Sequence, residues 1–212
     1  MKSDTNLING YIEAYHSACK SLSERDPLVL SKITGSIFDP KTNSLTLKYL
    51  NQHYSIECST GVIKCDEINE PVATTLKVLI LHYLLNVKSI PLTQQYISFR
   101  DIKGGGRNYF STFEKRAIFP LLKMFGSFPE LLIKAGKSLG GIPNSFGDAS
   151  VTIQVFEHIP VTFIVWKGDD EIQSSAAVLF DENINKMLPC EDIVISASFG
   201  VYELIKIGAN SK

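Results

Sequence analysis

No two of the 4 cysteines stand at C-x-x-C spacing. Cys19, Cys58, Cys65 and Cys190 are scattered, which leaves the common zinc and iron–sulfur ligand patterns unmet. Free thiols in a reducing compartment are expected instead, with Cys58 and Cys65 brought towards each other across Ser59-Thr60-Gly61. Long apolar runs are missing too. The longest, VLILHYLLNV at 78–87, falls well short of the roughly 20 residues a bilayer span needs. It predicts an enclosed helix, and no membrane partner is expected. Charge of one sign is absent: 21 Lys and Arg against 22 Asp and Glu leave a net −1. A chain without a basic excess is not expected to bind nucleic acid. The opening MKSDTNLING has no apolar stretch or cleavage signal, so a cytoplasmic location is expected.

Catalytic signatures are equally scarce. His16, His53, His82 and His158 form no H-E-x-x-H pair, and no G-x-S-x-G elbow occurs. Gly136-Lys137-Ser138 resembles the end of a phosphate-binding loop, but the glycine required five positions earlier is Leu131. His82, inside the apolar run, is expected in the core. Glu157-His158 falls in a predicted turn.

What is present is ordinary globular composition, 44% hydrophobic and 20% charged, with a strong strand signal. Residues 151–156 and 161–166 alternate in period two and are rich in β-branched and aromatic side chains. They predict an antiparallel hairpin near 150–166, its connection spanning Glu157-His158-Ile159-Pro160. Residues 172–180 fit either a third strand or a short helix. Upstream, residues 6–22 carry helical apolar spacing, with Asp4 as a candidate N-cap. Residues 36–65 read as a β-meander with a turn at Asn51-Gln52. Pro71 suits the first turn of a helix reaching about residue 85, and residues 96–102 read as a strand. Asn108 or Ser111 is expected to cap a helix that kinks or restarts at Pro120. Pro129 opens a further helix, and residues 190–207 the last, with Glu191 and Asp192 in its first turn. The fold expected is α+β, antiparallel sheet elements with about five helices, in a single domain over 1–212. A hairpin followed by a buried helix occurs in each half, so a pseudo-repeat is a second option for the organisation.

Two stretches are candidates for chemistry. Gly104-Gly105-Gly106-Arg107 lets backbone amides approach an anion, with guanidinium charge beside it; the bland alternative is a flexible strand-to-helix connection. Arg116, two and a half helical turns on, would hold a carboxylate or phosphate or pair internally with Asp148, Asp169 or Glu171. Trp166, the one tryptophan, is either a stacking platform or core. Asp169, Asp170, Glu171, Asp181 and Glu182 form an acidic grouping without EF-hand spacing, so no metal is assigned.

From Gly105 onward the runs GGRNYFSTFEKRAIFPLL, LGG, GDAS, IPVTFIVWKGDDE, AVLFD and LPCED follow one another. In that combination the chain resembles the bacterial and archaeal family catalogued as domain of unknown function 3786. The matching positions are Gly105, Gly106, Tyr109, Phe110, Arg116, Pro120, Gly141, Gly147, Asp148, Pro160, Trp166, Gly168, Asp169, Glu171, Phe180, Asp181, Glu191 and Asp192. Some relatives look like fusions with a four-cysteine iron–sulfur domain. The resemblance therefore implies a setting near anaerobic cofactor or one-carbon (corrinoid, iron–sulfur) metabolism, although this chain lacks such a cluster. It assigns no reaction, and the cofactor stays unknown.

The leading expectation is a binding or accessory protein for a small molecule or protein partner. Its cleft would be lined by Gly104, Gly105, Gly106, Arg107, Tyr109, Arg116, Asp148, Trp166, Asp169, Glu171 and Asp181. The alternative is an enzyme on a small anionic substrate, anchored by Arg107 or Arg116, with Asp169 or Glu171 moving protons.

Overall fold

The computed structural model describes residues 2–210, with side chains from residue 9 onward. Contacts gather the chain into two compact units, Met1–Ile90 with Lys186–Leu188 and Pro91–Asn185 with Pro189–Lys212. Each combines helices with an antiparallel sheet, so the fold is α+β as the two periodicities predict.

The first unit begins with α1 (Lys2–Ser23), which starts upstream of Asp4, a side chain outside those described. A helix the sequence reading passed over follows, α2 (Pro27–Thr34). Asp26 accepts the Leu28 amide at 2.8 Å, and Gly35, at φ 73°, closes the C-terminus. Strands β1 (Ile37–Asp39), β2 (Ser44–Tyr49), β3 (Gln52–Glu57) and β4 (Ile63–Cys65) form the expected meander in sequence order. The β2–β3 turn sits one residue early, on Leu50 and Asn51, because Tyr49 pairs with Gln52. Leu50 takes φ 51°, an unfavourable conformation for leucine that burial of its side chain offsets.

Helix α3 (Thr74–Asn86) begins three residues after Pro71, since Ala73 is still extended. Val78, Leu79, Ile80, Leu81, Tyr83 and Leu84 on it are buried, as an all-round apolar helix requires, while His82 is half-buried rather than fully in the core. The Tyr83 hydroxyl donates to the Thr34 carbonyl at 2.7 Å, tying α3 to α2. Tyr15 on α1 donates to the Gly61 carbonyl at 3.0 Å. All four cysteines are free.

The second unit opens with β5 (Tyr96–Ser98), shorter than expected. The Ser98 hydroxyl and amide both donate to Asp101, folding residues 99–101 into a 3-10 turn. Helix α4 (Gly106–Phe113) passes through a π turn (Glu114–Ile118) into α5 (Phe119–Phe125). Pro120 has no amide hydrogen to return to the Arg116 carbonyl, and the Phe119 amide reaches back to Glu114 instead. The run thus restarts where Pro120 predicts. Then come α6 (Pro129–Ser138), β6 (Ile142–Asn144), β7 (Ala149–Phe156), β8 (Ile159–Trp166), β9 (Ser175–Asp181) and α7 (Cys190–Ala209). The ambiguous third segment is a strand, and only Glu157 and His158 separate β7 from β8, since Phe156 pairs with Ile159. Pro160, second in β8, lies opposite Gln154.

The five strands run in the order β5-β9-β8-β7-β6. One face is the helix-packed core: Val151 leaves no room for a β-carbon at Gly136, nor Phe163 for one at Gly200. Alternation places Asn144, Ser150, Thr152, Thr162, Ile164 and Trp166 on the other face. There the Asn144 side-chain amide donates to Thr152 at 2.8 Å, and the Thr152 and Thr162 hydroxyls share a 2.6 Å hydrogen bond. Among the described residues no helix is long and apolar enough to cross a membrane.

Candidate functional site

The expected single cleft is divided. Of the expected site residues, Gly104, Gly105, Gly106 and Arg107 line one recess of the second unit, and Asp148, Trp166 and Asp169 line another that shares no lining residue with it.

The first, about 350 Å³, is lined by residues 100–108. Each glycine has its own steric reason there. Gly104 takes φ 83°, and a β-carbon at Gly105 would press on the Tyr109 ring and the Cys190 thiol. One at Gly106 would collide with the Phe99 carbonyl oxygen. The Gly106 amide donates to Ile102 and the Tyr109 amide to Gly105, so helix α4 starts at Gly106 rather than behind a cap at Asn108 or Ser111. Its first-turn amides at Arg107 and Asn108 have no intrahelical acceptor. Three cations line the recess, Arg100, Lys103 and Arg107, and none makes a salt bridge to a described residue. The Arg100 guanidinium lies 3.9 Å from the Phe110 ring centre, a cation–π contact. The one lining carboxylate, Asp101, is engaged by Ser98. Sequence reasoning missed Arg100 and Lys103; their signal was charge on both flanks of the glycine triplet.

The second recess, about 510 Å³, is lined by Asp148, Trp166, Lys167, Gly168, Asp169, Ile172, Gln173 and Ser175. Trp166, at the last position of β8, is 39% exposed rather than core. The acids beside it hold the backbone. Asp148 Oδ2 accepts the Lys167 amide at 2.8 Å. Asp169 Oδ1 accepts the amides of Glu171 and Ile172 at 2.9 and 2.8 Å, and the Asp169 amide donates to the Ile172 carbonyl. Those amides, Glu171 first and then Ile172, hold the Asp169 carboxyl below its ordinary range.

The remaining candidates line neither recess. Arg116 is exposed on the π turn, Tyr109 packs its ring edge by Gly105, and Glu171 is exposed in the acidic turn. Asp181, 6% exposed, is a clamp: it accepts from Thr93, the Gln94 amide and the Asn183 amide. Gln94 is held at φ 60° by that grip. In the first unit, an exposed pair joins His53 Nδ1 to Glu67 at 2.8 Å, and the His53 amide donates to both carboxylate oxygens. The imidazole first, then that amide, holds the Glu67 carboxyl below its usual range. Among the described residues no three His, Cys, Asp or Glu side chains gather in a way that could hold a metal ion.

No curated protein and no solved structure matches the chain. A family model does, over residues 26–203, spanning both recesses and most of each unit. The chain belongs to the family described as domain of unknown function (DUF3786).

Proposed function

We propose that this chain is a cytoplasmic binding or accessory protein that takes a small anionic molecule in the recess of residues 100–108. The observation that carries the reading is an excess of positive charge: Arg100, Lys103 and Arg107 line one recess against a single carboxylate, Asp101. Like charges gathered this way repel one another, and an anion relieves the repulsion. Guanidinium groups on both flanks of a helix start suit a carboxylate or phosphate, which accepts their paired N–H groups and the open first-turn amides together. The setting in anaerobic cofactor or one-carbon metabolism, implied by the family resemblance, belongs to this proposal as its context.

The test is thermal unfolding of the whole chain against inorganic phosphate, citrate and uncharged glycerol. The anions are expected to raise Tm, by an amount corresponding to about 2.7 kcal/mol at a hundredfold excess over Kd. Glycerol is the control for nonspecific stabilisation. The double variant Arg100→Ala/Arg107→Ala is expected to stay folded, with an unliganded Tm shifted by only a few degrees, and to lose the anion response. An unchanged response in that variant, or none in the wild type, overturns the reading.

A further inference from the structure

We propose that the recess beside Trp166 is a second, separate site, and that it takes an organic ammonium ion. It shares no lining residue with the recess of residues 100–108, so either site can fail without the other. At about 510 Å³ it lies in the size range of small-molecule pockets.

Its walls have two kinds of chemistry. Trp166 supplies an aromatic surface that is 39% exposed, and Ile172, 68% exposed, adds apolar area to the same recess. Asp148, just before β7, and Asp169 in the β8–β9 turn line the recess against Lys167, with Asp170 and Glu171 on the adjoining turn, and none of these acids makes a salt bridge to a described residue. The two lining carboxylates use only one oxygen each on the backbone, Asp148 Oδ2 and Asp169 Oδ1. Their other oxygens accept no hydrogen bond from described residues and remain available to a ligand.

Elimination narrows the class. An anion would meet the excess of carboxylates. For a bare metal ion, no group of three His, Cys, Asp or Glu side chains able to hold one gathers here among the described residues. A neutral apolar molecule would leave both free oxygens desolvated without a partner. An alkylammonium satisfies both walls, its positive charge on the indole face and the carboxylates, and its methylene or methyl groups on Trp166 and Ile172. The frame is built in advance. A β-carbon at Gly147 would meet the Val165 carbonyl and the Trp166 ring, and one at Gly168 would meet the Ile172 carbonyl, so both loops are fixed at their closest approach. A preformed site loses little freedom on binding.

Because Trp166 is the only tryptophan in the chain, its emission reports on this recess alone. The experiment titrates the whole protein with choline and with 3,3-dimethylbutan-1-ol, its uncharged carbon analogue. Choline is expected to give a saturable change in emission, and the alcohol to bind about tenfold more weakly or less. Asp148→Asn and Asp169→Asn keep the oxygen that accepts the backbone amides, and each is expected to weaken choline about tenfold. Lys167→Gln removes the one like charge without touching the turn and is expected to tighten it. Nα-acetyl-lysine amide forms a further arm: tighter binding than choline locates the ammonium on a partner's side chain, weaker binding on a free small molecule. Equal affinity for choline and the alcohol, no saturable change, or indifference to all three substitutions overturns the proposal.

Discussion

The loops at residues 100–108 and 166–175 invite comparison, because both join strands or helices through glycine and both are crowded with charge. In the first, the glycines build the turn: Gly106 has no space for a side chain against Phe99, and Gly104 takes the left-handed conformation. Its cations make no salt bridge to a described residue. In the second, carboxylates help to build the turn, each spending an oxygen on backbone amides, and the aromatic ring is what faces outward. Charge in a loop is available for a ligand only to the extent that the backbone has not already claimed it.

That contrast can be strained by substitution, beginning where the largest loss is expected. Asp181→Ala removes an acceptor used by Thr93, Gln94 and Asn183. It should cost roughly 2–4 kcal/mol in urea unfolding followed by Trp166 emission; a near-neutral result would mean that this acid is not a clamp. Gly106→Ala should cost about 1–3 kcal/mol through its collision with Phe99. Gly104→Ala, in open space, should cost only the left-handed penalty of about 1 kcal/mol. Equal losses at both would show that the triplet is not a packing device.

A smaller effect concerns pH. The folded-state pKa of Asp169 is depressed by the Glu171 and Ile172 amides, so its contribution is present above the ordinary carboxylate value of about 4 and lost as pH falls through the folded value. Wild type should therefore lose more Tm than Asp169→Asn across that acidic window. Parallel curves would deny the carboxylate its structural part. The smallest effects are expected at the cations. Lys103→Ala and Arg107→Ala should change stability by no more than about 0.5 kcal/mol, and Arg100→Ala by slightly more because it gives up the Phe110 ring. A large loss at Arg107 would make it structural, and the two loops would cease to differ.

Much of the scaffold was legible in the sequence, for local reasons. The β7–β8 hairpin and the meander declare themselves by alternation, and α7 by its acidic first turn. Where the reading failed, short range or side-chain trapping decided. Asp26, Pro27 and Gly35 spelled out α2, but eight residues carry little periodicity. Asp101, reaching back to Ser98, cut the expected strand short. Strand β6 is three residues long and contains Pro143. Fewer than half of the residues lining the two recesses were named individually, and the second recess depends on β8 and β9 placing Trp166 against Ser175. Nor does composition reveal that Asp181 is spent on three donors while Arg107 is spent on none.

The π turn at Glu114–Ile118 explains one further regularity. Phe113, Ala117, Leu121 and Phe125 are buried at strict fourfold intervals. An ideal α-helix completes three revolutions in about 10.8 residues, so such a stripe would drift off its partner by about a third of a revolution over that distance. One widened loop of chain absorbs about one extra residue, and the four side chains stay in phase. Shortening that segment by a single residue would rotate its two ends out of step by about 100°, turning either Phe113 or Phe125 towards water.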